Sequence, residues 1–129
     1  EIRHKYAYEW VRYECTLLDK GFSESELDAF VMETPIESFA LMECHYLGHN
    51  CFLSDQYIVD NADKLRDIET IIVHGRNDVI CPPLHAYKLD QALERSTLHM
   101  VKAGHSSSGP RVMAKLIEAN DYFTEKSLQ

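Results

Sequence analysis

The chain has 129 residues, 45% of them hydrophobic and 26% charged, with a formal net charge of −8. That length supports one domain around one core, and the composition is that of a globular protein rather than a disordered one. The acidic balance argues against nucleic acid or an anionic membrane as a partner, because both need a basic face, and it suits a cationic ligand.

No apolar run approaches the length of a membrane span, and the opening "EIRHKYAYEW" has no signal-peptide core. The opening also lacks a methionine, which leads us to expect a trimmed start or a chain that begins partway through a larger protein. Cys15, Cys44, Cys51 and Cys81 show no CxxC spacing and read as reduced, cytosolic thiols. There are no internal repeats, low-complexity tracts or Gly/Ser linkers.

In chain order, residues 1–67 read as a helical segment. Tyr6, Trp10, Tyr13 and Leu17 recur at helical spacing, and Gly21 is a natural stop. "PIESFALMECHYLGHN" reads as a capped helix with Thr34 before it, Pro35 in its first turn and Asn50 at its end. "YIVDNADKLRDI" is a short helix and a connector. From about residue 68 the texture changes. "TIIVHG" is a short β-branched run ending at Gly75, like a buried parallel strand. "PPLHAYKLDQALE" is a helix, "TLHMVKAG" a second strand, and "GPRVMAKLIEANDYFTEK" a closing helix with Val112, Leu116, Ile117 and Phe123 on one stripe. Strand, helix, strand, helix in residues 68–129 predicts an α/β fold with a parallel sheet. Two strands make a poor parallel sheet, since such sheets are covered on both faces. Further strands are therefore expected from upstream or from a second chain.

Within "KAGHSSSGPRV", a strand precedes and a helix follows a Gly-His-Ser run, as in the Gly-x-Ser-x-Gly elbow of serine hydrolases. Gly104 and Ser106 fit, but Ser108 stands where the second glycine belongs and Gly109 comes one residue late. The other reading makes His105 the working residue, with Gly104 allowing a sharp backbone turn. Asp78 also follows a strand, and ligands of open parallel sheets bind beyond the carboxyl ends of the strands. Adjacent strands would set Asp78 beside His105 as two members of a Ser-His-Asp triad. The chain order Ser, Asp, His puts the serine earlier, yet Ser23, Ser25, Ser38 and Ser54 have no Gly-x-Ser-x-Gly around them. A plainer alternative leaves Asp78 as a turn residue and His105 as a loop histidine.

Two carboxylates stand out on the helices. Glu43 falls within the stripe of Ile36, Phe39, Ala40 and Leu47, and Glu14 lies four residues after Trp10, beside Tyr13 and before Leu17 and Leu18. A carboxylate among apolar residues needs a partner. The pair could hold a cation between them, or each could be the partner of an arginine or lie at the solvent edge of its stripe. Cys44, His45, His49 and Cys51 crowd together, but Cys44 and His45 are adjacent on a helix and point to different faces, which disfavours zinc. Cys81 reads as a small packed residue, with a reactive thiol as the alternative. His74 ends its strand and packs or caps there, and Arg76 could pair with a carboxylate that the sequence does not identify.

"IIVHGRNDVICPPLHAYKL" and "LHMVKAGHSSSGPRVMAKLIEANDYF" resemble the C-terminal end of the proline iminopeptidases, or prolyl aminopeptidases, and the likeness extends upstream through "ALMECHYLGHNCFL" and "WVRYECTLL". The family pattern is close to His-Gly-Arg-Tyr-Asp-x-x-Cys-Pro followed by Ala-Gly-His-Ser. This chain has Asn77 in place of the tyrosine and is one residue shorter before Ala103. The resemblance implies the C-terminal part of an α/β-hydrolase fold, with a helical cap segment followed by the last two parallel strands and their helices. It implies a serine peptidase that releases N-terminal proline from short peptides. Asp78 would be the triad aspartate and His105 the base. Glu14, in Tyr13-Glu14, and Glu43, in Met42-Glu43-Cys44-His45-Tyr46, would bind the substrate's free amine. No metal or organic cofactor is implied. The missing N-terminal half of the hydrolase, or a second chain, would complete the sheet and supply the serine, so this chain alone is expected to be inactive. The alternatives are a truncated, non-catalytic remnant that binds a partner or cationic peptide, and another hydrolase activity such as an esterase. Paired carboxylates argue against the esterase, since neutral esters do not need them.

Overall fold

The structure, a computed structural model, describes residues 1–18 and 21–128. These form two compact units that divide between Asp55 and Gln56.

The first unit is helical. Helix α1 spans Ile2–Thr16, α2 Glu24–Glu33 and α3 Ile36–Gly48, followed by a 3-10 turn over Asn50–Phe52. Its core takes Ala7, Val11 and Cys15 from α1, Leu27 and Val31 from α2, and Ile36 and Ala40 from α3. The spacing of four within each set puts these residues on one face of each helix. Val11 and Val31 are fully enclosed, which stabilises the unit by roughly 1.5–3 kcal/mol per side chain. Tyr8 and Trp10 of α1 pack against this core. Tyr6 and Tyr13 are exposed, so the aromatic spacing locates the helix but not its inward face. Phe39 and Leu47 on α3 are exposed as well.

Helix boundaries differ from the sequence expectation at several points, α3 among them ending at Gly48 rather than Asn50. α1 ends at Thr16, ahead of Gly21, which adopts φ 62°. Thr34 does not cap α3, because its hydroxyl donates back to the Phe30 carbonyl (2.9 Å) and Pro35 takes the N-cap position. A capping box went unread in the sequence. Ser23 accepts from the Glu26 amide while Glu26 accepts from the Ser23 amide at the start of α2. Between α1 and α2, Asp28 Oδ1 accepts from Arg12 Nε and from Tyr8 Oη, both at 3.0 Å.

The second unit is mixed. It runs α4 (Tyr57–Asp60), a 3-10 turn over Ala62–Leu65, β1 (Thr70–Gly75), α5 (Pro83–Ala92), β2 (Ser96–Val101) and α6 (Pro110–Ser127). The two strands pair in parallel, in register from Thr70 opposite Ser96 to Gly75 opposite Val101. Helix α5 crosses over between them and α6 packs on both. This is a βαβ unit on an α/β plan, as the alternation of elements predicts. The strands are half-buried along most of their length rather than fully buried. On α6, Val112 is buried, Leu116 and Phe123 are half-buried, and Ile117 faces outward, so the inward stripe is narrower than expected. Glu69 ties the unit together at the start of β1, accepting from Tyr122 Oη and Lys126 Nζ of α6. Among the described residues, no helix is long and apolar enough to cross a membrane.

Candidate active site

The strands β1 and β2 end level, with Gly75 opposite Val101, so the loops that follow them leave the sheet side by side. Backbone bonds lace the two loops together: Arg76 N–H to Val101 O (2.7 Å) and Asn77 N–H to Ala103 O (2.9 Å). The approach is close enough to require glycine. A Cβ on Gly75 would lie 2.0 Å from the Gly104 carbonyl oxygen. Gly75 thus has the demanding backbone position, whereas Gly104 is buried and its φ lies outside the left-handed region that a sharp glycine turn would use.

This lacing brings Asp78 and His105 together. Asp78 Oδ2 is 3.0 Å from His105 Nδ1. The other oxygen, Oδ1, accepts from the amides of Ile80 (3.0 Å) and Cys81 (2.8 Å), so the turn wraps its own carboxylate. The Asp78 side chain is 4% exposed and the His105 ring 35% exposed, an anchored acid carrying an accessible imidazole. Burial on its own pushes the Asp78 carboxyl up. The Cys81 amide, the His105 ring and the Ile80 amide outweigh it and hold the carboxyl below its ordinary range. An ionised acceptor at Nδ1 fixes that nitrogen as the protonated one and leaves Nε2 basic, which is what a general base requires.

The depressed Asp78 value has a consequence for stability. Its contribution is present in full above the unfolded carboxyl's value and is lost as pH falls through the lower folded value. Asp78→Asn is expected to lower stability at pH 7 by about 1.5–3 kcal/mol, the range for a hydrogen bond to a charged group. It should also flatten the acid side of the stability curve below about pH 4. Urea midpoints for both proteins across the acid range check this, and an acid limb of unchanged slope contradicts it.

Cys81 is exposed, not packed as its small size suggested. Its backbone is what the site uses. Ser106 Oγ lies 2.8 Å from Ser108 Oγ in the loop 102–109, which separates β2 from α6 without the tight strand-to-helix turn of an elbow.

The other two expected residues lie in the first unit. Glu43 sits on the inward side of α3, one turn after Ala40, and is half-buried. Its Oε2 accepts from Trp10 Nε1 of α1 at 2.6 Å, an indole partner that the sequence reading did not anticipate. Glu14 is half-buried near the end of α1. Helices α1 and α3 also border a groove of about 760 Å³ lined by Arg3, Tyr6, Trp10, Tyr13, Glu37 and Leu41 among others, and neither Glu14 nor Glu43 is in its lining. His49 is committed elsewhere: its ring stacks on Phe52 with centroids 5.1 Å apart, and its Nδ1 is 2.6 Å from the His45 carbonyl oxygen. Among the described residues, no group of three or more His, Cys, Asp or Glu side chains is placed to hold a metal ion.

A carboxylate-oriented histidine in the loops beyond two parallel strands is an arrangement that can move a proton for a nucleophile. Along nearly its whole length, this chain is a sequence relative of the proline iminopeptidases. It is 36% identical over 125 residues to the "Probable proline iminopeptidase" of Leptolyngbya boryana, covering 95% of this chain and 39% of that protein. Against the proline iminopeptidase of Arabidopsis thaliana it is 35% identical over 128 residues, covering 94% of this chain and 32% of the relative. With that of Neisseria meningitidis serogroup B the figures are 32% over 111 residues, 85% and 34%. The chain therefore spans a third to two-fifths of the length of these relatives. No family model matches it.

Proposed function

We propose that this chain is the C-terminal part of an α/β-hydrolase of the proline iminopeptidase kind, a serine peptidase that releases N-terminal proline from short peptides. The observation that carries the reading is the 3.0 Å contact between Asp78 Oδ2 and His105 Nδ1, in loops that follow adjacent parallel strands. In this mechanism His105 Nε2 takes the proton of a serine supplied from outside the chain. That serine attacks the scissile carbonyl, and His105 then passes the proton to the leaving amine. Asp78 holds the ring's tautomer and stabilises the imidazolium that forms. Glu43 and Glu14, on the helical cap segment, bind the substrate's free amine, an assignment supported by the half-buried state of both carboxylates. No organic cofactor or metal enters these steps. The missing strands come from the N-terminal half of the hydrolase or from a second chain, a need supported by the half-buried state of both strands.

The purified 129-residue chain is expected to show no hydrolysis of a prolyl arylamide above buffer, because loss of a triad nucleophile removes on the order of 10⁶-fold in rate. Turnover lost on Ser106→Ala would make Ser106 the nucleophile and overturn the order of events given above. An intact-mass measurement on the natural protein decides the remainder. A mass more than twice 14.9 kDa supports a complete peptidase. A mass of 14.9 kDa instead supports a truncated form that binds a partner or cationic peptide and does not catalyse.

A further inference from the structure

Asp78 has a second histidine beside it. His74, next to last in β1 and four residues before Asp78, points Nε2 at the Cys81 carbonyl oxygen (2.9 Å) and lies with the same nitrogen 3.4 Å from Asp78 Oδ2. Its side chain is 19% exposed. A carbonyl oxygen only accepts, so the proton of the neutral ring sits on Nε2. That N–H bonds the carbonyl and presents its positive end toward the carboxylate oxygen that faces His105.

We infer that His74 is a positioning residue for the Asp78–His105 pair, tying the rigid strand β1 to the far end of the turn that holds the carboxylate. The inference rests on the reading of Asp78 and His105 given above. The geometry makes Cys81 the middle of the tie. Its amide donates to Asp78 Oδ1 at 2.8 Å while its carbonyl accepts from His74. The peptide groups around Cys81 are thereby gripped on both sides, and the turn cannot roll about the strand without breaking one bond. Oδ1 is fixed by two amides of the turn itself, so rolling the turn would swing Oδ2, the atom in contact with His105. Without His74, the bonds at the near end of the turn remain, from Arg76 N–H to Val101 O, Asn77 N–H to Ala103 O and Asp78 N–H to Gly75 O, and the bond from β1 to the Cys81 carbonyl at its far end is lost. Both the carboxylate and the placement of its oxygen select the His105 tautomer.

The test is nitrogen NMR on the ¹⁵N-labelled 129-residue chain, reading the tautomer of the neutral His105 ring from its two nitrogen shifts. Four proteins are compared: unmodified, His74→Phe, which keeps a ring without a donor, His74→Gln, which restores an N–H, and Asp78→Asn. The unmodified chain is expected to hold the Nδ1–H tautomer. His74→Phe is expected to shift the tautomer ratio about three- to tenfold toward Nε2–H, the scale of one net hydrogen bond. The amide spectrum should stay folded, and His74→Gln should recover most of the shift. An unchanged ratio in His74→Phe alongside a changed one in Asp78→Asn overturns the role of His74 alone. An unchanged ratio in Asp78→Asn overturns the Asp78–His105 reading as well. Should the His74 variants lose their folded spectra, His74 supports the fold and the positioning assignment is overturned.

Discussion

In a protein that carries this chain together with its serine, His105→Ala is expected to lower kcat by about 10⁶-fold, the scale seen on deleting the base of a comparable triad. Asp78→Asn should lower it by about 10⁴-fold. The two effects differ because the residues do different work. His105 moves the proton, and nothing in its loop can replace it, since its neighbours Ser106 and Ser107 are not bases at neutral pH. Asp78 moves no proton. Its substitution leaves the imidazole in place but removes the acceptor that keeps the proton on Nδ1, so a share of the rings presents Nε2–H to the serine and cannot act as base. KM should change little in either variant, because neither side chain is assigned to substrate binding. The double variant should be no slower than His105→Ala, since Asp78 acts through His105. Glu43→Gln should do the reverse, raising KM for a free-amine substrate with a smaller effect on kcat. Steady-state hydrolysis of a prolyl arylamide reads all four. His105→Ala within tenfold of the unmodified enzyme would remove this histidine from the mechanism.

Much of the site was legible in the sequence, for a reason that particular residues make plain. The β-branched run Thr70–Gly75 and the run Ser96–Val101 are short and each is followed by loop-forming residues, so strand type could be read locally, although the second strand ends at Val101 rather than at Gly104 as its sequence suggested. Once two consecutive strands are parallel, their loops leave the same edge, and Asp78 and His105 must be neighbours there. What could not be read was anything that depends on how far a helix is rotated. Tyr6, Trp10 and Tyr13 recur at helical spacing, which marks α1 as a helix without marking its inward face. The buried face is Ala7, Val11 and Cys15, with Trp10 and Tyr8 packed against it and Tyr6 and Tyr13 exposed. The same packing brings Trp10 Nε1 to Glu43 across 33 positions of sequence, a pairing that no local pattern encodes. His74 is a third kind of case. Its position at the strand end was evident, but its bond to the Cys81 carbonyl depends on the path of the turn, which side-chain chemistry does not reveal.

Gly75→Ala is expected to lower the stability of the second unit by about 3 kcal/mol, the upper range for forcing an added carbon into a packed site. It should separate Asp78 from His105 at the same time. The new Cβ would lie 2.0 Å from Gly104 O, 2.7 Å from Ala103 O and 2.9 Å from the Gly104 carbonyl carbon. All three are backbone atoms, so no side chain can swing aside. Either the end of β1 or the loop carrying His105 must move by about an ångström to restore ordinary carbon–oxygen contact of roughly 3.3 Å. Moving the loop stretches the Asn77–Ala103 and Arg76–Val101 bonds, and moving the strand end displaces the turn that begins with Arg76. On either path the 3.0 Å contact at Asp78 opens, so a loss of stability and a loss of the Nδ1–H tautomer at His105 should appear together. Gly109→Ala in the same unit is the matched control. Its Cβ would meet one backbone atom, Ser106 O, at 3.3 Å, a clash relieved by a few tenths of an ångström, and its cost should stay below about 1 kcal/mol. Equal urea midpoints for the two variants would mean that the close approach of Gly75 to Gly104 does not hold the two loops together. The pairing of Asp78 with His105 would then have to come from the loops' own hydrogen bonds.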